Sequence, residues 1–191
     1  AGLAVVSWPK EYGGREATLM EWLIFEEEYY RAGAPSRVTQ NGIFLMAPTL
    51  FEYGTDAQKQ RYLKKMAGAE ELWAQGWSEP NAGSDLASVK STATRDDERG
   101  GWLLNGQKTW CTRGSFSDII FGLFRTDPEL ARHKGLTYFI VPLTSEGITL
   151  RGVDRLDGDE GFAEVFLDNV FVPDDHIIGE VDRGWYVAMA T

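Results

Sequence analysis

The hydrophobic pattern of this chain changes period at Leu72, and that change limits the fold more than any other feature. Before it, apolar residues recur at helical spacing. After it, they alternate in short runs separated by turn formers, with no helical segment between them. A helix and a strand present side chains with different periods, so one segment cannot satisfy both. The expected class is therefore α+β. An N-terminal α-helical domain over residues 1–70 is followed by an antiparallel β-sandwich or barrel-like domain over 71–180. The start of a further helix follows at 181–191.

In the first third, Glu16 to Arg31 predicts a helix with an apolar stripe at Leu19, Met20, Leu23 and Ile24, closing at Gly33 before Pro35. Its Glu26-Glu27-Glu28 run reads as a solvated face. Gly42 to Phe51 is apolar without clean periodicity, as expected of a helix buried on several sides. Thr55-Asp56-Ala57-Gln58 is a capping box that opens a third helix, with Gln60, Leu63 and Met66/Ala67 at turn spacing and an end near Gly68.

Beyond Leu72, Ala87, Val89, Ser91 and Ala93 alternate with polar partners, and Asp96 to Gly101 makes a turn. Asn105-Gly106 predicts a hairpin between Trp102–Leu104 and Gln107–Thr112, because both residues tolerate positive φ. Further strands are expected at 118–126, 136–143, 148–153 and 162–167. Short strands without crossover helices close antiparallel.

Charge excludes several functions. The net charge of −10 opposes nucleic-acid binding, which needs a basic face, and equally a polybasic membrane contact. No apolar run approaches the roughly 20 residues of a membrane span. The first residues carry no signal-peptide pattern, and both ends read as cuts within a longer protein. A lone Cys111 fits a reducing compartment, and the expected location is cytoplasmic. One cysteine with two distant histidines, His133 and His176, makes no metal set. Cys111 beside Trp110 reads as packing, not as a nucleophile.

The stretch most suited to chemistry is GWSEPNAGSD, Gly76 to Asp85, a polar turn leaving a buried strand. Pro80 fixes φ, Gly83 permits close backbone approach, and Ser78 and Ser84 place hydroxyls at the two ends. A second stretch is Gln107 to Ser115. Trp110 and Thr112, two apart on a strand, share one face. Together the stretches would offer a ring wall and hydroxyls to a planar heterocycle. The competing reading makes Trp110 a core residue and Thr112 an ordinary strand residue. Gly101 to Thr109 is not a phosphate loop, since Trp and Leu occupy its interior, and no GxGxxG occurs.

GWSEPNAGSDLASVKSTA and, further along the chain, LNGQKTWCTRG resemble the signature of the acyl-CoA dehydrogenase family. PKEYGG, FEYGTDAQKQRYLKKMAGAEELWAQG, RTDP, RHKGLTYFIVPL, FAEVFLDNVFVPDDHIIGE and GWYVAMAT follow that family in order. The resemblance covers nearly the whole chain. It implies an FAD enzyme oxidising acyl-CoA thioesters to the trans-2-enoyl form. A glutamate removes the α proton while the β hydrogen leaves as hydride to flavin N5, and hydrogen bonds to the thioester carbonyl stabilise the enolate.

By position, the resemblance implies Trp77 and Ser78 along the flavin pyrimidine and Ser84 at the FAD diphosphate and near the CoA arm. Gly83 belongs to the same cofactor loop. Trp110 would flank the isoalloxazine and Thr112 would face N5. Reduced flavin would pass electrons to an electron-transfer flavoprotein, and a homo- or hetero-oligomer is expected. Gln75, Asn81 and Arg113 depart from the usual pattern. The family's C-terminal four-helix domain, which brings the glutamate base, is not represented, so no catalytic residue is assigned. Glu79 reads as structural, and Asp154, Asp157, Asp159 and Glu160 as a solvated turn. Acyl specificity is expected from Gly42 to Phe51 and from that further domain. Alternatives are an acyl-CoA oxidase or flavin monooxygenase on the same scaffold, a non-catalytic partner subunit, and a Trp-rich carbohydrate-binding module.

Overall fold

A computed structural model describes residues 2–191. Among these, helix α1 spans Leu19–Arg31, and a π-helical turn at Gly42–Met46 runs directly into α2, Ala47–Tyr53. Helix α3 spans Asp56–Ala67 and α4 spans Gly184–Met189. The strands are β1 Trp73–Gly76, β2 Thr92–Asp96, β3 Gly101–Thr112, β4 Ile119–Arg125, β5 Leu136–Pro142, β6 Ile148–Val153, β7 Phe162–Pro173 and β8 Ile177–Ile178.

Both long helices start on a threonine capping box. Thr18 and Glu21 satisfy each other's backbone amides, as do Thr55 and Gln58. The first helix therefore begins at Leu19, not Glu16, which sits at φ +58° in the preceding turn. Its expected apolar stripe is reversed. Leu19, Met20, Leu23 and Ile24 are exposed, and Trp22, Phe25 and Tyr29 are the half-buried side. On α3 the buried stripe is Gln58, Tyr62, Leu63 and Met66, whereas Gln60 is exposed. Gln58 does double duty: its Nε2 also donates to the carbonyls of Asp175 and Ile177, both at 2.7 Å. Gly42, Ile43, Met46, Ala47 and Leu50 are buried, as an apolar segment without periodicity suggests.

The strands run in the order β6-β7-β3-β2-β4-β5-β8. Pairing is antiparallel except that β1 lies parallel to β4 and that β2 and β4 meet in parallel at Thr92 and Arg125. The two halves close over a core built from Trp102, Leu104, Cys111, Phe124, Phe139, Val165 and Val172. On the outer side of β4 and β5, Phe121, Leu123, Tyr138 and Ile140 pack with Met46, Leu50, Leu63 and Met66 of the helices. Strands β4 and β5 are thus covered on both faces, and for this reason their sequences read as unbroken apolar runs.

The hairpin expected at Asn105-Gly106 does not form. β3 continues through these residues beside β7, with a register shift between Leu104 and Gly106. Gly106 has φ +143°, and a Cβ there would sit 2.2 Å from Ser91 Oγ. The glycine serves a bulge and a close strand approach, not a reversal. The turn at Asp96 to Gly101 does form, joining β2 to β3. The strand expected from Ala87 is shorter, since Leu86–Ser88 is a 3-10 turn that keeps the alternating burial without a partner strand.

Candidate functional site

β1 ends at Gly76 because the next residues leave the sheet, and Gly76 itself lies flat against β4. A Cβ there would stand 2.5 Å from Ile120 Cδ1. Trp77 follows, half-buried, edge-on to Phe121 and Tyr138 with centroids 5.6 and 5.4 Å away. The carbonyl of Ser78 then accepts the Thr109 amide at 2.9 Å. That backbone bond ties the first motif stretch to the second.

A tight turn comes next: Glu79 and Ala82 exchange backbone hydrogen bonds of 2.8 and 3.0 Å. The Glu79 side chain turns inward and is buried. Its carboxylate accepts the amides of Lys90 and Ser91 at 2.6 and 3.0 Å and the Lys108 ammonium at 2.8 Å. Lys108 is 1% exposed, donates also to the Leu123 carbonyl at 2.7 Å, and lies 4.7 Å from the Phe124 ring centre. Burial works against the Glu79 carboxylate, but the ammonium and amides outweigh it and hold its pKa below the ordinary range. Burial draws Lys108 down from the lysine range, opposed by Glu79. Glu79 is therefore structural, as expected, with both carboxylate oxygens hydrogen-bonded inside the protein. Its partner Lys108 escaped the sequence reading. The only available signal was a lysine at an inward position of an alternating strand.

The tip of the loop is open. Gly83 and Ser84 are exposed, and a Cβ built on Gly83 meets nothing within 4 Å. Asp85 pairs with Arg132 at 2.8 Å. Behind the loop, the Arg125 guanidinium donates to the carbonyls of Ala87 and Val89 and to those of Leu130, Arg132 and Lys134. It thereby fixes the loop after β4 against the residues that follow Ser84.

The second stretch lies at the end of β3, where a register shift falls between Lys108 and Cys111. Trp110 occupies that shift at φ +56° and is 61% exposed, touching Phe162 edge-on at 5.9 Å. The reading of Trp110 as core is thus wrong. A bulky residue at positive φ costs on the order of 1–3 kcal/mol, sustained by the surrounding pairing. Cys111 is fully buried, its thiol pushed up to about 12 by desolvation, which fits packing and not nucleophilic use. Thr112 is half-buried beside a cavity of about 440 Å³ that Gln40, Arg113, Phe116 and Phe162 also line. Asn41 Nδ2 donates to the Thr112 carbonyl at 3.1 Å, and Arg113 reaches the carbonyls of Arg37 and Val38 and, at 3.3 Å, Gln40 Oε1. The Arg113 departure therefore anchors the segment before α2 to the end of β3.

The structure joins Ser78, which follows Trp77, to Thr109, which precedes Trp110, with Gly83 and Ser84 on a tip rooted in the same turn. Thr112 continues that strand toward the N-terminal segment. These residues fit a flat, hydrogen-bonding cofactor such as FAD. They offer an exposed ring held in place at an energetic cost, an exposed serine at the loop tip, and a glycine whose missing side chain no internal contact requires. Among the described residues no group of three His, Cys, Asp or Glu could hold a metal, and no helix is long and apolar enough to cross a membrane. Asp154, Asp157, Asp159 and Glu160 are exposed, as the solvated-turn reading requires.

Residues 1–70 match the N-terminal domain of acyl-CoA dehydrogenases and residues 74–170 the middle domain. An acyl-CoA dehydrogenase of Mycolicibacterium smegmatis, IpdE1, is 43% identical across 100% of this chain and 51% of its own length. The ChsE4–ChsE5 complex of Mycobacterium tuberculosis aligns with a TM-score of 0.85 and 36% identity over 98% of this chain and 48% of that one. A steroid acyl-CoA dehydrogenase, Tcur3481–Tcur3483, aligns with a TM-score of 0.87 and 33% identity over 97% and 47%. The chain spans about half the length of the relatives it matches. Matched by both domain profiles and by relatives along its whole length, this chain belongs to the acyl-CoA dehydrogenase family.

Proposed function

We propose that this chain forms the flavin-binding part, and one wall of the acyl-CoA site, of an enzyme that oxidises an acyl-CoA thioester to its trans-2-enoyl form. The observation that supports this most is the Ser78–Thr109 bond, which sets the hydroxyl loop beside an exposed Trp110. Trp77, Ser78, Gly83, Ser84, Trp110 and Thr112 would hold FAD, with Ser84 also near the CoA arm. FAD, when bound, supplies the acceptor for the β hydride. The chain's own part is to bind, orient and screen. Trp110 and Phe162 form an apolar wall that keeps water from one side, and the hydroxyls and loop amides hydrogen-bond a polar ring edge. The glutamate base belongs to the family's further helical domain, and electrons would pass to an electron-transfer flavoprotein. A cytoplasmic location is part of the same proposal.

Thr112→Ala in the full-length protein should remove a hydrogen bond worth about 1.5 kcal/mol, which is about tenfold in flavin affinity or reduction rate. An unaltered enzyme would withdraw Thr112 from the site. The decisive experiment is a visible absorption spectrum of the full-length protein before and after anaerobic addition of acyl-CoA thioesters. The panel should include short straight, branched and steroid side-chain thioesters. Bleaching by any of them supports the dehydrogenase reading. Rapid reoxidation by oxygen would favour the oxidase.

A second reading, a subunit of a heteromeric dehydrogenase, gains support from the similarity to ChsE4–ChsE5, a complex of two proteins. It predicts that bound flavin bleaches only after a second, different subunit is added. A protein that turns over alone would sink it.

A further inference from the structure

We propose that the buried Glu79–Lys108 ion pair is the positioning device of the cofactor site, setting the register between its two motif stretches; the proposal rests on the flavin reading above. The two residues occupy the positions where such a device must act. Glu79 directly follows Trp77 and Ser78, and Lys108 directly precedes Thr109 and Trp110. The backbone link between the stretches is the Thr109–Ser78 bond, and Glu79 and Lys108 are the chain neighbours of its two residues.

The carboxylate does more than neutralise the ammonium. By accepting the amides of Lys90 and Ser91 it pins the far end of the loop to the same point that anchors its beginning. Residues 80–89, including the exposed Gly83 and Ser84, are thus carried on a closed ring with Glu79 as its clasp. The ammonium ties that clasp to β3 and, through the Leu123 carbonyl, to β4. Neither group is open to solvent or to a ligand, so neither is catalytic. Their effect on a cofactor passes through Ser78, Ser84 and Trp110.

A buried ion pair is a weak device for stability alone. Desolvating two charges offsets most of their attraction, and neutral replacement of both partners often leaves stability unchanged. What such a pair fixes is geometry, because misplacing either charge in a dry interior is costly. Stability and positioning can therefore be separated by experiment.

The test uses the full-length protein and FAD itself. The double variant Glu79→Gln/Lys108→Met removes both charges and keeps side-chain volume. Its melting temperature should stay within a few degrees of the parent, while FAD binds at least tenfold more weakly, by flavin fluorescence titration. The visible band of the bound flavin should shift as well. A double variant with parental melting, FAD affinity and flavin spectrum overturns the proposal. Should that variant fail to fold, Glu79→Asp decides. It keeps the charge but shortens the arm, and a folded Glu79→Asp is expected to lose FAD affinity at least threefold. Unchanged affinity there also overturns the proposal. If the parent protein binds no FAD, the flavin reading of the site has failed, an outcome distinct from both.

Discussion

Helices α1 and α3 obey the same local rules and end in opposite situations. Each starts on a threonine box, each runs for three turns or more, and each carries an apolar stripe. Yet α3 buries Gln58, Tyr62, Leu63 and Met66, with Leu63 and Met66 fully excluded from solvent. α1 buries no residue fully, and Leu19 is 78% exposed. The inner side of α1 is held by aromatic and charged contacts at its edge. Trp22 stacks on Phe44, and Glu26 takes a two-point ion pair from the buried Arg37. The difference teaches that a capping box and a stripe specify a helix but not its neighbour. An amphipathic pattern states that a face wants cover, and the rest of the fold decides which face receives it.

The largest effect expected from this contrast is at Leu63. Leu63→Ala should lower the stability of the chain by about 2–5 kcal/mol, measured by chemical denaturation, since it opens a cavity among fully buried neighbours. A cost below 1 kcal/mol would mean that α3 is less firmly packed than it stands here. Next are the caps. Thr55→Ala should cost about 1 kcal/mol globally, because α3 unfolds with the core. Thr18→Ala should instead fray the first turn of α1, seen as faster amide exchange at Leu19 to Trp22 with little change in global stability. Equal global costs would erase the contrast.

Acid sharpens the comparison further. The α1 box uses Glu21, whose carboxylate is held below its ordinary pKa by the Thr18 amide and hydroxyl, whereas the α3 box uses the neutral Gln58. A depressed carboxylate contributes stability that is present above its unfolded pKa and lost as pH falls through its folded value. Lowering the pH below the ordinary glutamate range should therefore loosen the first turn of α1 while that of α3 stays closed. Helix-resolved amide exchange at pH 5 and below pH 4 would show it, and simultaneous loosening of both would contradict it. The smallest effect is expected at Leu23→Ser on the exposed side of α1, within about 0.5 kcal/mol. A cost above 2 kcal/mol in the full-length protein would show that this face is covered there.

The candidate site divides in the same way between local and tertiary causes. Its loop was legible because turn formers and small hydroxyls cluster at Gly76 to Asp85. Its second half was legible as a strand carrying Trp110 and Thr112. The outward placement of Trp110 was not, because a register shift inside a strand leaves no periodic trace. Asn105-Gly106 misled for a related reason. The pair permits positive φ, but whether the chain reverses or bulges depends on what lies across from it, here Ser91 on one side and β7 on the other. Lys108 was invisible as half of an ion pair because its partner lies 29 positions away, across a loop.

By itself the sequence determined that helices precede strands, the start of α3 and the polar loop, all of which depend on neighbours within a few residues. Its long motif resemblance, beyond local propensity, pointed to the family. Only the tertiary structure decided which face of α1 turns inward, that β1 joins β4 in parallel, that Trp110 stands exposed, and that Glu79 meets Lys108. Each of these depends on residues distant in the chain whose meeting minimises buried, unpaired polar groups and uncovered apolar surface together, a condition no local pattern encodes.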